Sequence, residues 1–392
     1  MGEWKKYKLE DIAIIIDCEH KTAPIVTNSD FYSVRTANIS QGKIDYQSCN
    51  RVSKETYLAW TNRAIPVYGD IIFAREAPVG EVGFVEKKFK VCLGQRTVLI
   101  RINSNNVDNR FLLYYLVNPT NKKELIEKST GSVVSHVNVK DIREHIVSLP
   151  PLPEQKSIAS ILSSLDDKID LLHRQNATLE KIAETLFRQW FVEEAKEDWE
   201  TVKIGDIAKN IQYGFTQSAN FETVGPKFLR ITDIQGGNVN WKSVPFCLAN
   251  KSEFLKYQLK TGDIVVARTG ASTGENLYIY KPDNVVFASY LVRIQFSELS
   301  TARYVAQHMR SSNYFDYIEG ILSGSAQPNA NANELTSYEL ALPSKDKLES
   351  FYKIVTNWDE KKHINQTQIR TLTTLRDTLL PKLMSGEVRV EM

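Results

Sequence analysis

A chain of 392 residues is long enough for two or more domains, each with its own core. Its 49 Lys plus Arg against 47 Asp plus Glu exclude nucleic-acid binding through bulk charge alone, and no apolar run is long enough to span a bilayer. The start Met1-Gly2-Glu3-Trp4-Lys5-Lys6 lacks the apolar stretch of a signal peptide, which implies a cytoplasmic protein, and Cys18, Cys49, Cys92 and Cys247 are too scattered for a disulfide framework or a zinc knuckle.

In chain order, residues 1–150 hold short β-rich runs between turns. Asp70-Ile71-Ile72-Phe73-Ala74 and Val98-Leu99-Ile100-Arg101-Ile102 read as strands. Asp108 can cap a helix over Arg110–Leu116 that stops at Asn118-Pro119. Two loops are polar: Arg75-Glu76-Ala77-Pro78-Val79-Gly80 and Gly131-Ser132-Val133-Val134-Ser135-His136.

Leu149-Pro150-Pro151-Leu152-Pro153 then announces a long helix, with Pro153 suited to its first turn and Glu154 to the N-terminal dipole. Ile158, Leu162, Leu165, Ile169, Leu172, Asn176, Leu179, Ala183, Leu186 and Trp190 alternate steps of four and three, which is a heptad seam. Pro153 to Val192 as one helix would be roughly 58 Å long. Asn176 is the kind of seam residue that sets register in a coiled coil.

Residues 196–343 then repeat the first part. Trp4 and Asp11-Ile12-Ala13 return as Trp199 and Asp206-Ile207-Ala208; Arg35, Ile39 and Gly42 return as Arg230, Ile234 and Gly237; Gly69-Asp70-Ile71 and Ala74-Arg75 return as Gly262-Asp263-Ile264 and Ala267-Arg268. The polar loops return as Arg268-Thr269-Gly270-Ala271-Ser272-Thr273-Gly274 and Gly324-Ser325-Ala326-Gln327-Pro328-Asn329, and Thr301 can cap a helix over Arg303–Met309. Units of this size are domains and not solenoid turns. The frames match while the stretches Lys43–Tyr68 and Asn238–Thr261 do not. Two readings stand here: a bivalent reader of two different ligands, or an old duplication that has drifted.

After Leu342-Pro343 a second helix carries Phe351, Val355, Trp358, Ile369, Leu372, Leu379 and Leu383 at matching places. Its seam is poorer: Lys362, Asn365 and Arg376 interrupt it, although Ile354, Ile364 and Leu375 lie alongside and could widen it. Either the two stripes bury each other as an antiparallel pair, or each helix packs on its own domain. Pro381 is expected to end or bend this helix.

No nucleotide loop, methyltransferase Asn-Pro-Pro-aromatic run or nuclease element occurs, and His20, His136, His145, His173, His308 and His363 form no metal-spaced pair. Catalytic residues and a metal site are therefore not assigned.

Leu149-Pro150-Pro151-Leu152-Pro153-Glu154-Gln155-Lys156 running into Leu165-Asp166-Asp167-Lys168-Ile169-Asp170 resembles the specificity subunit of type I restriction-modification systems. Leu186-Phe187-Arg188-Gln189-Trp190-Phe191 and Leu379-Leu380-Pro381-Lys382-Leu383-Met384-Ser385-Gly386-Glu387 support the likeness, and Ser344-Lys345-Asp346-Lys347 departs from it. The resemblance implies an α+β fold: two repeated mixed α/β target recognition domains (1–150 and 196–343) separated by two long antiparallel coiled-coil helices (151–195 and 344–392). It implies a non-catalytic subunit that reads a bipartite target in double-stranded DNA, with a helical spacer setting the gap. By that resemblance the chain would bind no cofactor itself. S-adenosylmethionine, ATP and Mg2+ would belong to partners: two methyltransferase subunits and the restriction-translocase subunits. No membrane is involved.

By repeat position, Arg35, Arg75, Ser132, His136, Arg230, Arg268, Thr269, Ser325, Gln327 and Asn329 are the expected DNA contacts, because such side chains hold phosphates or read base edges. Leu165, Ile169, Leu172, Asn176, Leu179, Leu186, Trp358, Leu372 and Leu379 are expected to pack the spacer helices. The rivals are a similar subunit of another defence complex, a half-site homodimer, a protein adaptor on a coiled-coil rod, and a self-contained nuclease or methyltransferase.

Overall fold

A computed structural model describes residues 3–127, 136–237, 239–322 and 329–390. The chain forms two compact units, Met1–Leu171 with Ile369–Met392, and Leu172–Gln368. Each unit contains one repeat and a stretch of both long helices, and the fold is α+β.

In the first unit an antiparallel sheet runs in the order Ala13–Asp17, Thr97–Ile102, Ile71–Ala74, Val82–Phe84. Ile71 and Phe73 lie in a core shared with helix Asn109–Val117, while Ile72 and Ala74 belong to a second core with Val34, Val91 and Leu93. Period-two alternation between two covered faces explains why this strand is apolar throughout. The second unit repeats the order as Asn210–Tyr213, Leu291–Gln295, Ile264–Ala267, Asn276–Tyr278, with Ile264 and Val266 in one core and Val265 and Ala267 in the other. Each unit adds one parallel pair that periodicity does not announce: Phe31–Val34 with Lys90–Leu93, and Lys227–Leu229 with Val285–Phe287.

The repeated Gly-Asp is a turn in both units. Gly69 and Gly262 each have φ of +95°, which favours glycine. The Asp70 carboxylate accepts from Val67 N at 2.8 Å and from Arg101, and Asp263 accepts from Lys260 N at 2.9 Å and from Gln295. Asp108 caps its helix as expected, accepting from Phe111 N at 2.9 Å. Thr301 is no cap: the helix spans Leu299–His308 and its N-cap residue is Glu298, three residues earlier. The four cysteines are unpaired and buried, and burial pushes the Cys92 and Cys247 thiols up to about 11.

The first long helix is Leu152–Arg188, closed by a π-helical turn over Gln189–Glu193; the second is Lys345–Ser385. Pro381 neither ends nor interrupts the second helix. Leu380, Leu383 and Met384 are buried in the first unit's core, and that packing outweighs the one hydrogen bond a proline removes.

Within each unit the two helices run antiparallel. In the first, Asp166 faces Arg376 and Glu154 faces Arg389, just past the end of the second helix; in the second, Asn176 faces Asn365 and Glu180 faces Lys362. The seam residues Ile169 and Leu172 are buried, and Leu165, Asn176, Leu179, Leu186, Trp358, Leu372 and Leu379 are half-buried. Ile364 and Leu375 are exposed and do not widen the seam. The polar residues of the second helix have polar partners instead: Lys362 with Asp359 at 3.3 Å and Glu180 at 3.7 Å, Asn365 with Asn176 at 2.8 Å, and Arg376 with Asp166 at 2.9 Å.

The helices are also tied to their domains at repeat-equivalent carboxylates. Asp166 accepts from Tyr114 Oη at 2.8 Å, and Asp359 accepts from Arg303 Nε at 2.8 Å. A second tie is conserved in form and reversed in charge. Glu154 is paired with Arg389, whose guanidinium lies 6.0 Å from the Trp4 ring; at the equivalent place in the second unit, Lys347 is paired with Glu194 and lies 5.4 Å from the Trp199 ring. The departure at Lys347 is thus compensated by Glu194.

His308 packs edge-on against Phe187 and Tyr304, and burial lowers its pKa to about 4. A depressed folded pKa means the unfolded chain takes up the proton first, so stability present above about pH 6.5 falls as pH drops towards 4, by about 1.4 kcal/mol per pH unit. His308→Phe is expected to flatten that limb of the second unit's stability curve; identical acid limbs for variant and native chain in urea titrations would refute the assignment.

Candidate nucleic-acid interface

The expected DNA-contacting residues follow strand ends, and backbone hydrogen bonds bring them together in the same way in both units. In the first, Arg35 follows Phe31–Val34, Arg75 follows Ile71–Ala74, and Gln95-Arg96 lie between Lys90–Leu93 and Thr97–Ile102. Gly94 N donates to Val34 O at 2.8 Å, Arg75 N to Arg96 O at 3.0 Å, and Val137 N to Arg75 O at 3.0 Å. His136, beside Val137, therefore comes next to Arg75. In the second, Ala288 N donates to Leu229 O at 2.9 Å, Arg268 N to Tyr290 O at 3.1 Å, and Ala330 N to Arg268 O at 2.8 Å, while Thr269 bridges to Asn329. Arg230, Arg268, Thr269 and Asn329 are joined as Arg35, Arg75 and His136 are. Ser132, Ser325 and Gln327 lie outside the described residues.

The side chains differ where the backbone agrees. Arg75 Nη1 donates to both Asp17 oxygens at 3.2 and 3.3 Å and its Nε to Val137 O at 3.0 Å, which leaves the side chain 16% exposed. Arg230 grips Asp233 through Nε and Nη2, both at 3.0 Å. Arg268 has no carboxylate partner among the described residues; its Nε donates to Ser289 O at 3.3 Å and its guanidinium lies 5.1 Å from the Tyr213 ring. Arg35 is exposed.

Residues that periodicity does not single out complete the surface. Arg96 occupies the place of Tyr290, and Arg96 Nε pairs with Glu76 at 3.0 Å. Tyr290 is 58% exposed, Tyr213 43%, and Phe221 78% with Arg230 above its ring. Exposed aromatics interleaved with arginines suit contact with bases and sugars. Arg96 and Tyr290 stand in turns and Tyr213 ends a strand, and the sequence gives no other signal of them.

Asp17, Cys18 and His20 could each offer a ligand atom to a metal. The Asp17 carboxylate is already used by Arg75, by His20 Nε2 at 2.9 Å and by Cys18 N at 3.0 Å, so an ion-pair network accounts for the group. Among the described residues no helix is long and apolar enough to cross a membrane.

The chain matches the type I restriction modification DNA specificity domain twice, over residues 1–181 and 196–374. The MjaIX specificity subunit, from a type I restriction enzyme of Methanocaldococcus jannaschii, is 26% identical over 391 residues, covering 94% of this chain and 87% of that protein. The HindI specificity subunit of Haemophilus influenzae is 22% identical over 470 residues, covering 99% of this chain and all of that one. The crystal structure of a type I restriction-modification S subunit from M. genitalium has the same fold, with a TM-score of 0.59 at 15% identity over 99% of this chain and 96% of that one.

Proposed function

The chain belongs to the type I restriction modification DNA specificity family, and from that premise we propose that each repeat reads one half of a bipartite target in double-stranded DNA while the long helices set the gap. It is the DNA-recognition component of such a system and not a catalytic one. The observation that carries the two-reader proposal is the doubled match, 1–181 and 196–374, each with an arginine-bearing loop pair joined by the same backbone hydrogen bonds. Residues 1–150 and 196–343 would be the target recognition domains, and 151–195 and 344–392 the spacer helices.

Arg35, Arg75, His136, Arg230, Arg268, Thr269 and Asn329, with Ser132, Ser325 and Gln327, would face the DNA. Near-neutral net charge fits a reader that depends on local contacts. Two methyltransferase subunits would flip and methylate adenine with S-adenosylmethionine, and restriction-translocase subunits would use ATP and Mg2+, all in the cytoplasm.

The test is single-molecule sequencing of methylated adenine in DNA from cells expressing the chain with its methyltransferase subunit, against cells lacking only this chain. A two-part motif with a constant gap that appears only with the chain is expected. Identical methylation in both strains, with a competent methyltransferase subunit, would refute the reading and favour a protein adaptor.

A further inference from the structure

Asp17 and Tyr213 occupy the same register in the two sheets, opposite Val98 and Val292, and each lies against the arginine that follows the strand next but one in its sheet. In the first unit the residue is a carboxylate and in the second an aromatic ring. Both oxygens of Asp17 accept from Nη1 of Arg75 and Val137 O accepts from its Nε, which fixes the guanidinium and neutralises its charge. A ring face supports the guanidinium of Arg268 without taking a hydrogen bond from it. Nε of Arg268 is held by Ser289 O, which orients the group, and among the described residues nothing accepts from Nη1 or Nη2. That pair of amino groups is the edge that matches O6 and N7 of guanine in the major groove.

We propose that Arg268, seated on Tyr213, reads a guanine in the half-site of the second repeat, whereas Arg75 is a positioning residue that holds Asp17 and the loop at Val137. The inference rests on the two-reader function above and adds that the two half-sites are read by different chemistry from one frame.

The experiment uses the full chain with its methyltransferase subunit and reads methylated-adenine motifs for R268A, R268K and R75A beside the native chain. For R268A, discrimination at one guanine of one half-site is expected to fall roughly 5- to 150-fold, with the other half unchanged, which also shows that the variant is folded. R268K keeps the charge without the fork and is expected not to restore the guanine. R75A is expected to lower occupancy at an unchanged motif. An unchanged motif in R268A, a uniform loss over all sequences as for a phosphate contact, full rescue by R268K, or a relaxed base in R75A would each overturn the proposal. Should R268A abolish methylation altogether, R268K decides: a native guanine preference overturns the proposal, and a motif relaxed at that guanine supports it. A native chain that directs no two-part motif would instead overturn the underlying function, and this inference with it.

Discussion

Asp359→Ala is expected to cost about 3–5 kcal/mol of the second unit's stability, because it strands a buried guanidinium. Asp359 and Arg303 are both buried, and the carboxylate holds Arg303 at 2.8 and 3.4 Å while also meeting Lys362 at 3.3 Å. It is the point where helix Leu299–His308 is tied to the second long helix. Alanine leaves Arg303 with Gln307 as a neutral partner, 3.0 Å away. The cost is one of desolvation more than of lost attraction, so replacing both members with apolar residues, Asp359→Leu with Arg303→Met, is expected to recover most of it. Hydrogen exchange of second-unit amides reads the effect without assuming that the whole chain unfolds in one step. A single variant costing under about 1 kcal/mol, or a double variant worse than the single, contradicts the account.

Phe351→Ala is expected to cost a similar amount, about 3–5 kcal/mol, by opening a cavity. Phe351 is fully buried, edge-on to Phe191 at 5.1 Å and near Phe187 and Trp190 at 6.1 and 6.5 Å. Those three rings come from the end of the first long helix, and Phe191 and Phe187 also touch Tyr304 of the domain. One side chain therefore closes a cluster shared by both helices and the domain. Phe351→Leu keeps most of the volume and is expected to cost well under half as much. Urea denaturation followed by tryptophan emission reports it, since Trp190 sits in the cluster; equal losses for alanine and leucine would show that ring packing is not what holds the helices together.

Both sites show why part of the molecule was legible and part was not. The seam could be read because a helix imposes its period on residues three and four apart, so Ile158 to Trp190 announce a buried stripe without knowledge of its partner. The aromatic run Phe187-Arg188-Gln189-Trp190-Phe191 could be recognised as a mark of the family, but its work against Phe351 and Tyr304 links residues more than a hundred positions apart. Lys362, Asn365 and Arg376 looked like flaws in a stripe for the same reason: Glu180, Asn176 and Asp166 come opposite them only when the helices pair. Pro381 does not end the helix, because local propensity for breaking a helix is worth less than the burial of Leu380, Leu383 and Met384.

The amino-acid sequence by itself determined the duplication, the α+β composition, the two long helices and the family, because those depend on order, spacing and local period. It also placed Arg75 and Arg268 at equivalent positions. Only the tertiary structure decided that one is bound by Asp17 while the other rests on Tyr213, because strand pairing sets these neighbours across more than fifty residues of chain, and pairing is a property of the folded sheet and not of any local pattern.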